Sequence, residues 1–118
     1  MSTSWVVEAD PAILERASFS ADGLIPCIAQ DISSRAVLMM AWMDAEALSR
    51  TLAEGRVTYF SRSRREYWRK GDTSGNIQVA RRIRLDCDGD VLLADVEQTG
   101  PACHTGSDTC FEADHSDV

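Results

Sequence analysis

Asp86-Cys87-Asp88-Gly89-Asp90 sets three carboxylates, a thiol and a glycine between two apolar, partly β-branched runs, residues 83–85 and 91–96. Both flanks read as β-strands, and Asp-Gly at 88 and 89 is a hairpin or bulge signal. If the pentapeptide keeps the strand pleat, its side chains alternate by face, which sets Asp86, Asp88 and Asp90 on one side and Cys87 on the other. One peptide then offers hard oxygens suited to Mg²⁺, Mn²⁺ or Ca²⁺ in one direction and a soft sulfur suited to zinc in the other. Two plainer readings compete. A solvated, Asp-rich turn needs no ion at all. A calcium loop of the EF-hand type matches Asp86, Asp88, Asp90 and Glu97 at its first, third, fifth and twelfth positions, but it has Val91 where the sharp turn needs glycine, and its flanks read as strands rather than helices.

The chain has 118 residues and a formal net charge of −7. That length suits one domain with a modest core, and the acidic balance argues against general affinity for nucleic acid or an anionic membrane. No run approaches the ~18 apolar residues of a membrane span. The first ten residues lack the basic start and apolar middle of a signal peptide, so a soluble, cytoplasmic protein is expected. In that compartment the four cysteines, Cys27, Cys87, Cys103 and Cys110, read as ligands, nucleophiles or buried thiols rather than disulfides. Cys27 lies in an apolar run and reads as a small buried hydrophobe. Cys103 and Cys110 bracket a polar, turn-rich segment, so their sulfurs can converge on one ion across a loop. With Cys87 they make three sulfurs, and three protein ligands plus water is the pattern of a catalytic zinc, whereas a fourth ligand closes the site. Adjacent side chains tend to point apart, so His104 reads as a proton shuttle beside the metal rather than as that fourth ligand.

Taken in order, Asp10-Pro11 opens a short helix to about Ala17. Residues 24–30 read as a strand, with Pro26 arguing for an edge or a strand start. Residues 33–35 turn the chain into 36–42, an apolar run too continuous to be half-exposed, which is expected to be a central strand. Asp44 caps a helix running to about Glu54 with Gly55 as its left-handed stop, and Met43 and Leu48 stand at hydrophobic-staple positions. Residues 57–60 form a further strand, 77–85 a long one leading to the aspartates, and 91–97 the return.

The one basic stretch lies between these strands: Ser61-Arg62-Ser63-Arg64-Arg65-Glu66-Tyr67-Trp68-Arg69-Lys70, followed by Gly71-Asp72-Thr73-Ser74-Gly75-Asn76. A solvated face is the plain reading. The interleaved serines and the small, hydroxyl-rich loop fit phosphate binding, because backbone N–H groups and hydroxyls can cradle an anion. RNA binding by a zinc-stapled module, with Tyr67 and Trp68 as stacking platforms, is the third reading, and the net charge opposes it.

The series Gly23-Leu24-Ile25-Pro26, Val37-Leu38-Met39-Met40-Ala41-Trp42-Met43, Tyr59-Phe60-Ser61-Arg62-Ser63-Arg64, Trp68-Arg69-Lys70-Gly71, Thr73-Ser74-Gly75-Asn76, Arg84 through Asp90, and Ala102-Cys103-His104-Thr105-Gly106 with Cys110-Phe111 resembles the phosphoribosyl-AMP cyclohydrolases, which act at the third step of histidine biosynthesis. The resemblance covers residues 23–111, leaving 1–22 as an extension with a short helix and 112–118 as an acidic tail. It implies hydrolytic opening of the adenine ring of N1-(5-phosphoribosyl)-AMP between N1 and C6. It also implies a homodimer sharing zinc between chains, with Cys87 from one and Cys103 and Cys110 from the other, and Mg²⁺ at Asp86, Asp88 and Asp90. For such a reaction His104 is expected to carry the proton, and Ser61, Arg62, Ser63, Arg64, Trp68, Arg69, Lys70, Thr73 and Ser74 are expected to bind a small nucleotide substrate rather than a nucleic acid or a membrane. The expected fold is a small, mostly antiparallel α+β domain with one main helix, in an intertwined dimer.

Overall fold

Alternating apolar side chains bring distant strands into one sheet. The computed structural model describes residues 7–103 and 105–112. Its elements are α1 (Ile13–Arg16), β1 (Ile25–Asp31), β2 (Val37–Met43), α2 (Ala45–Glu54), β3 (Thr58–Ser61), β4 (Glu66–Arg69), β5 (Gln78–Leu85), β6 (Leu92–Gln98) and a 3-10 turn at Cys110–Glu112. Two antiparallel hairpins, β1–β2 and β5–β6, are joined by a parallel pairing of β1 with β6, giving the order β2-β1-β6-β5. The register sets Cys27 opposite Ala41 on one side and Leu92 on the other, and Ala29 opposite Met39 and Ala94. One sheet face is therefore a continuous apolar surface, and it is buried with Ile13 of α1, Ala47 and Leu48 of α2, Val57 just before β3 and Tyr59 within it. Cys27 is fully buried within it, and that burial pushes its thiol up to about 12.

Helix α2 has the ends its sequence calls for. Asp44 Oδ1 accepts the Ala47 backbone N–H at 2.8 Å, and Gly55 stops the helix with φ of 78°. Met43 and Leu48 are both fully buried, as a staple across the helix start should be. The same Asp44 carboxylate accepts the Tyr67 hydroxyl at 2.6 Å through Oδ2, and Arg50 lies 4.4 Å over the Tyr67 ring. One capping residue thus fastens α2 to the separate β3–β4 ribbon.

Two expectations are corrected, and one strand is added. β2 is an edge strand of the four-stranded sheet, not a central one. Leu38, Met39, Ala41 and Met43 are buried, while Val37 and Met40 stay exposed, so a continuous apolar run here marks a strand whose second face is only partly covered. Within the basic segment the structure adds a strand that the sequence did not announce, Glu66–Arg69 paired with β3; its charged residues hid a pattern anchored by Tyr67 and Trp68. The N-terminal helix is a single turn, Ile13–Arg16, although Asp10 does accept the Ala12 N–H at 2.9 Å. Among the described residues no helix is long and apolar enough to cross a membrane. The expected acidic tail beyond Glu112 lies outside the described residues.

Candidate active site

The acidic stretch is a closed turn between β5 and β6, and Asp86 organises it. Its Oδ1 accepts the backbone N–H groups of Asp90 at 3.0 Å and Val91 at 3.3 Å, while its carbonyl accepts the Gly89 N–H at 3.0 Å. Gly89 has φ of 73° and gives its carbonyl to the Ser18 N–H at 2.7 Å. A Cβ there would stand 3.0 Å from the Arg16 carbonyl oxygen, so glycine lets the chain after α1 lie against the turn. The result is that carboxylate oxygens of Asp86, Asp88 and Asp90 lie within 4.8 Å of one another. Repulsion, chiefly from Asp86, raises the Asp90 carboxyl from its ordinary value. Oxygen-only donors at this spacing fit a hard divalent cation such as Mg²⁺. The three carboxylates gather because the turn closes, not because a pleat alternates. Cys87 accordingly is not sent to an opposite face; it is exposed, with Sγ 3.9 Å from Asp88 Oδ1.

Cys103 and Cys110 belong to the other end of the same hairpin. The loop that carries them leaves β6 after Gln98 and is closed by Cys103 N–H to the Ser107 carbonyl at 3.2 Å and Gly106 N–H to the Cys103 carbonyl at 3.0 Å. The Thr105 hydroxyl donates to Cys103 Sγ at 3.1 Å, and this bond, with help from the Thr105 backbone, Cys110 and Lys70, holds the Cys103 thiol below its ordinary value. Burial and the neighbouring Cys103 push Cys110 the other way. The pair thus shares one environment, in which Cys103 gives up its proton before Cys110. Lys70 ties this loop to the end of β4 by donating to the Ala102 carbonyl at 2.8 Å.

The β5–β6 register runs from Gln78 opposite Gln98 to Leu85 opposite Leu92, a span of roughly 20 Å at the usual strand rise. Cys87 therefore stands far from Cys103 and Cys110 within one chain. Among the described residues, the aspartate trio is the one group of three metal-ligand side chains that a single chain brings together. A single chain fits a hard cation at its acidic turn and offers two of three sulfurs at its cysteine loop. His104 lies outside the described residues.

The basic residues are divided as well. Ser61, Arg62, Ser63 and Arg64 form the turn of the β3–β4 ribbon, where Ser61 Oγ accepts the Arg64 N–H at 3.3 Å and Arg64 pairs with Glu66 at 3.4 Å. Arg69 and Lys70 lie at the ribbon's far end, beside the 71–76 loop with its exposed Thr73 and Ser74. Arg69 is held between Glu54 at 3.5 Å and Asp72 at 2.8 Å. Gly71 makes this second cluster possible. With φ of 91° and a would-be Cβ 2.5 Å from the Ile77 backbone, it tolerates no side chain. Trp68 lies between the two ends, its ring centroid 5.0 Å from that of Tyr59.

Sequence reasoning passed over two supports of this region. Tyr59 donates to Gln78 Oε1 at 2.7 Å, and Gln78 donates to Gln98 Oε1 at 2.8 Å. Gln98 in turn donates to the Asn76 carbonyl at 3.2 Å, which joins the 71–76 loop to the start of the cysteine loop. Glutamines facing each other across two β-runs were the available signal. Near the acidic turn, Arg84 reaches the buried Asp95 carboxylate at 3.3 Å, an alternation of Arg and Asp that charge counting alone does not single out.

A model of the phosphoribosyl-AMP cyclohydrolase family matches residues 39–112, which include every cysteine and aspartate of the two clusters. Relatives named phosphoribosyl-AMP cyclohydrolase are similar over most of their length. That of Corynebacterium jeikeium (strain K411) is 61% identical over 107 residues, covering 91% of this chain and 84% of the relative. That of Leifsonia xyli subsp. xyli is 63% identical over 101 residues, covering 86% and 81%. That of Streptomyces griseus subsp. griseus is 59% identical over 105 residues, covering 89% and 84%. With the match spanning both ends of the β5–β6 hairpin and the ribbon beside it, this chain belongs to the phosphoribosyl-AMP cyclohydrolase family.

Proposed function

We propose that this protein, a hydrolase by family, opens the adenine ring of N1-(5-phosphoribosyl)-AMP at the N1–C6 bond in the cytoplasm, as a step of histidine biosynthesis, and that it does so as a homodimer. The observation that carries the dimer is the division of the sulfur ligands between the two ends of one long hairpin. A second copy that brings its Cys87 to the Cys103–Cys110 loop completes a three-thiolate set, and symmetry makes two such sites. Asp86, Asp88 and Asp90 would hold Mg²⁺, and the three thiolates zinc. When bound, zinc supplies a nucleophile at neutral pH by lowering the pKa of water from 15.7 toward ~7.

The chain's own residues then do the rest. Thr105 favours the thiolate form of Cys103 through its hydroxyl. Substitution at N1 leaves C6 electron-poor, so water adds there, its oxygen becoming the carboxamide oxygen, and N1 leaves as the bond breaks. N1 needs a proton at that moment, and His104 delivers it, since an imidazole near pKa ~6.5 can take and give a proton at neutral pH. The substrate carries two phosphate monoesters, and two basic clusters stand at the two ends of the ribbon. Ser61, Arg62, Ser63 and Arg64 bind one, and Arg69, Lys70, Thr73 and Ser74 the other, with guanidinium groups well suited to paired phosphate oxygens.

The test is the ultraviolet change on adding N1-(5-phosphoribosyl)-AMP to chelator-treated protein, before and after zinc is restored with Mg²⁺ present. Turnover that returns only with zinc is the expected result. A folded, zinc-loaded protein with no turnover would overturn the reading.

A further inference from the structure

β3 packs alongside the open edge of β2, and between them lies a hollow of about 500 Å³ lined by Met40, Trp42, Ser61, Arg62, Ser63 and Trp68. Two indoles on facing elements give it apolar walls, and two hydroxyls and a guanidinium stand at its rim. The Arg62 guanidinium lies 4.6 Å over the Trp42 ring. Among the described residues no carboxylate pairs with Arg62, whereas Arg64 has Glu66 and Arg69 has Glu54 and Asp72. A cation resting on an indole face, with no anion to hold it, is a group in waiting.

We propose that this hollow takes the purine ring of the nucleotide, stacked on Trp42, and that Arg62 leaves the indole face to meet the adjacent phosphate. The choice of nucleotide rests on the function proposed above; the pocket and its occupant's shape do not. A π-face recognises a purine by stacking, without hydrogen-bond readout. An exposed cation–π contact is weak enough to be exchanged for a charge-assisted bond to phosphate. The position also suits the chemistry around it. Trp68 packs at a tilt against Tyr59, whose hydroxyl is pushed above its ordinary value mainly by burial, with Cys27 and Cys110 close enough to add to it. The aromatic floor of the hollow thus runs from the Ser61–Arg64 end of the ribbon toward Tyr59.

Calorimetric titration of the zinc-loaded protein with AMP, adenosine and ribose 5-phosphate tests this. Trp42→Leu should weaken AMP about tenfold, the size of one base–aromatic stack, and leave ribose 5-phosphate unchanged, while Trp42→Phe retains most of the affinity. Arg62→Gln should weaken AMP and ribose 5-phosphate together and spare adenosine. In turnover, Trp42→Leu should raise KM more than it lowers kcat. Wild-type AMP affinity in Trp42→Leu, or wild-type protein that binds AMP no better than ribose 5-phosphate, would overturn the proposal. Stacking behaviour as described in a protein without ring-opening activity would remove the proposed function and leave the pocket standing; turnover with AMP binding indifferent to Trp42 would do the reverse.

Discussion

The two ends of the β5–β6 hairpin carry the same kind of chemistry and are built by opposite means. At the acidic end, one side chain, Asp86, closes a turn of its immediate neighbours through backbone N–H groups, and the ligands are four residues apart in sequence. At the cysteine end, position depends on partners from far along the chain: Lys70 on Ala102, Gln98 on Asn76, and Tyr59 on Gln78. A local turn can form whatever the rest of the fold does. The cysteine loop exists only where four segments have already met, so damage to any of them should be felt there. The same contrast leaves three carboxylates together in one chain and Cys87 apart from Cys103 and Cys110.

The sharpest way to break the comparison is to ask whether both ends serve one site. Cys87→Ser and Cys103→Ser proteins should each lose at least about 100-fold in turnover if each removes a zinc ligand. Mixed, unfolded and refolded together, they should recover about a quarter of wild-type activity, because half the dimers are hybrids and each hybrid has one whole site. No recovery, with hybrids demonstrated by mass spectrometry, would place all three cysteines in one chain or make them unrelated.

The dependence of the cysteine end on distant segments is tested by Gly71→Ala. Its Cβ would meet the Ile77 backbone at 2.5 Å in a conformation with φ of 91°, so unfolding in urea should show a loss of about 2–4 kcal/mol. The divalent-cation response of the acidic turn should survive in whatever fraction stays folded. Stability within a few tenths of a kcal/mol of wild type would show that the 71–76 loop can move aside at little cost.

A smaller effect should come from the acidic end. The Asp90 carboxyl is raised chiefly by Asp86, so the folded chain holds that proton more tightly than the unfolded chain does. Stability of the metal-free protein should therefore fall as pH rises through the carboxylate range, and the loss should vanish as pH falls below it. Asp90→Asn should flatten that part of the profile, raise Tm slightly at neutral pH without metal, and abolish the further rise that Mg²⁺ gives the wild type. A wild-type profile that is flat there would mean that Asp86 does not raise the Asp90 carboxyl, and an Asn variant that still responds to Mg²⁺ would mean that Asp90 holds no cation.

Much of this was legible in residues that act on near neighbours. Asp44 and Gly55 mark the ends of α2 because a cap and a left-handed stop work over one helical turn. Cys27 reads as core because an alternating apolar run hides it. β4 was not legible, since Arg and Glu outweigh its two aromatic residues until Tyr59 and Phe60 pair with Trp68 and Tyr67. β2 misled for the complementary reason: composition reports that a strand is apolar, not how many of its faces find cover.

The sequence by itself determined the clusters whose members are close along the chain: the aspartate trio, the Cys103–Cys110 loop, the capped helix and the motif series that marks the family. Only the tertiary structure decided which of these face each other. Strand order and register set Cys87 far from the other sulfurs, brought Trp42 beside the basic turn, and divided the cations between two ends of a ribbon. Local spacing fixes what a turn or a helix end can bind, because backbone geometry acts over a few residues. The distance between two such ends depends on which strands pair, and pairing is settled by burial across the whole sheet.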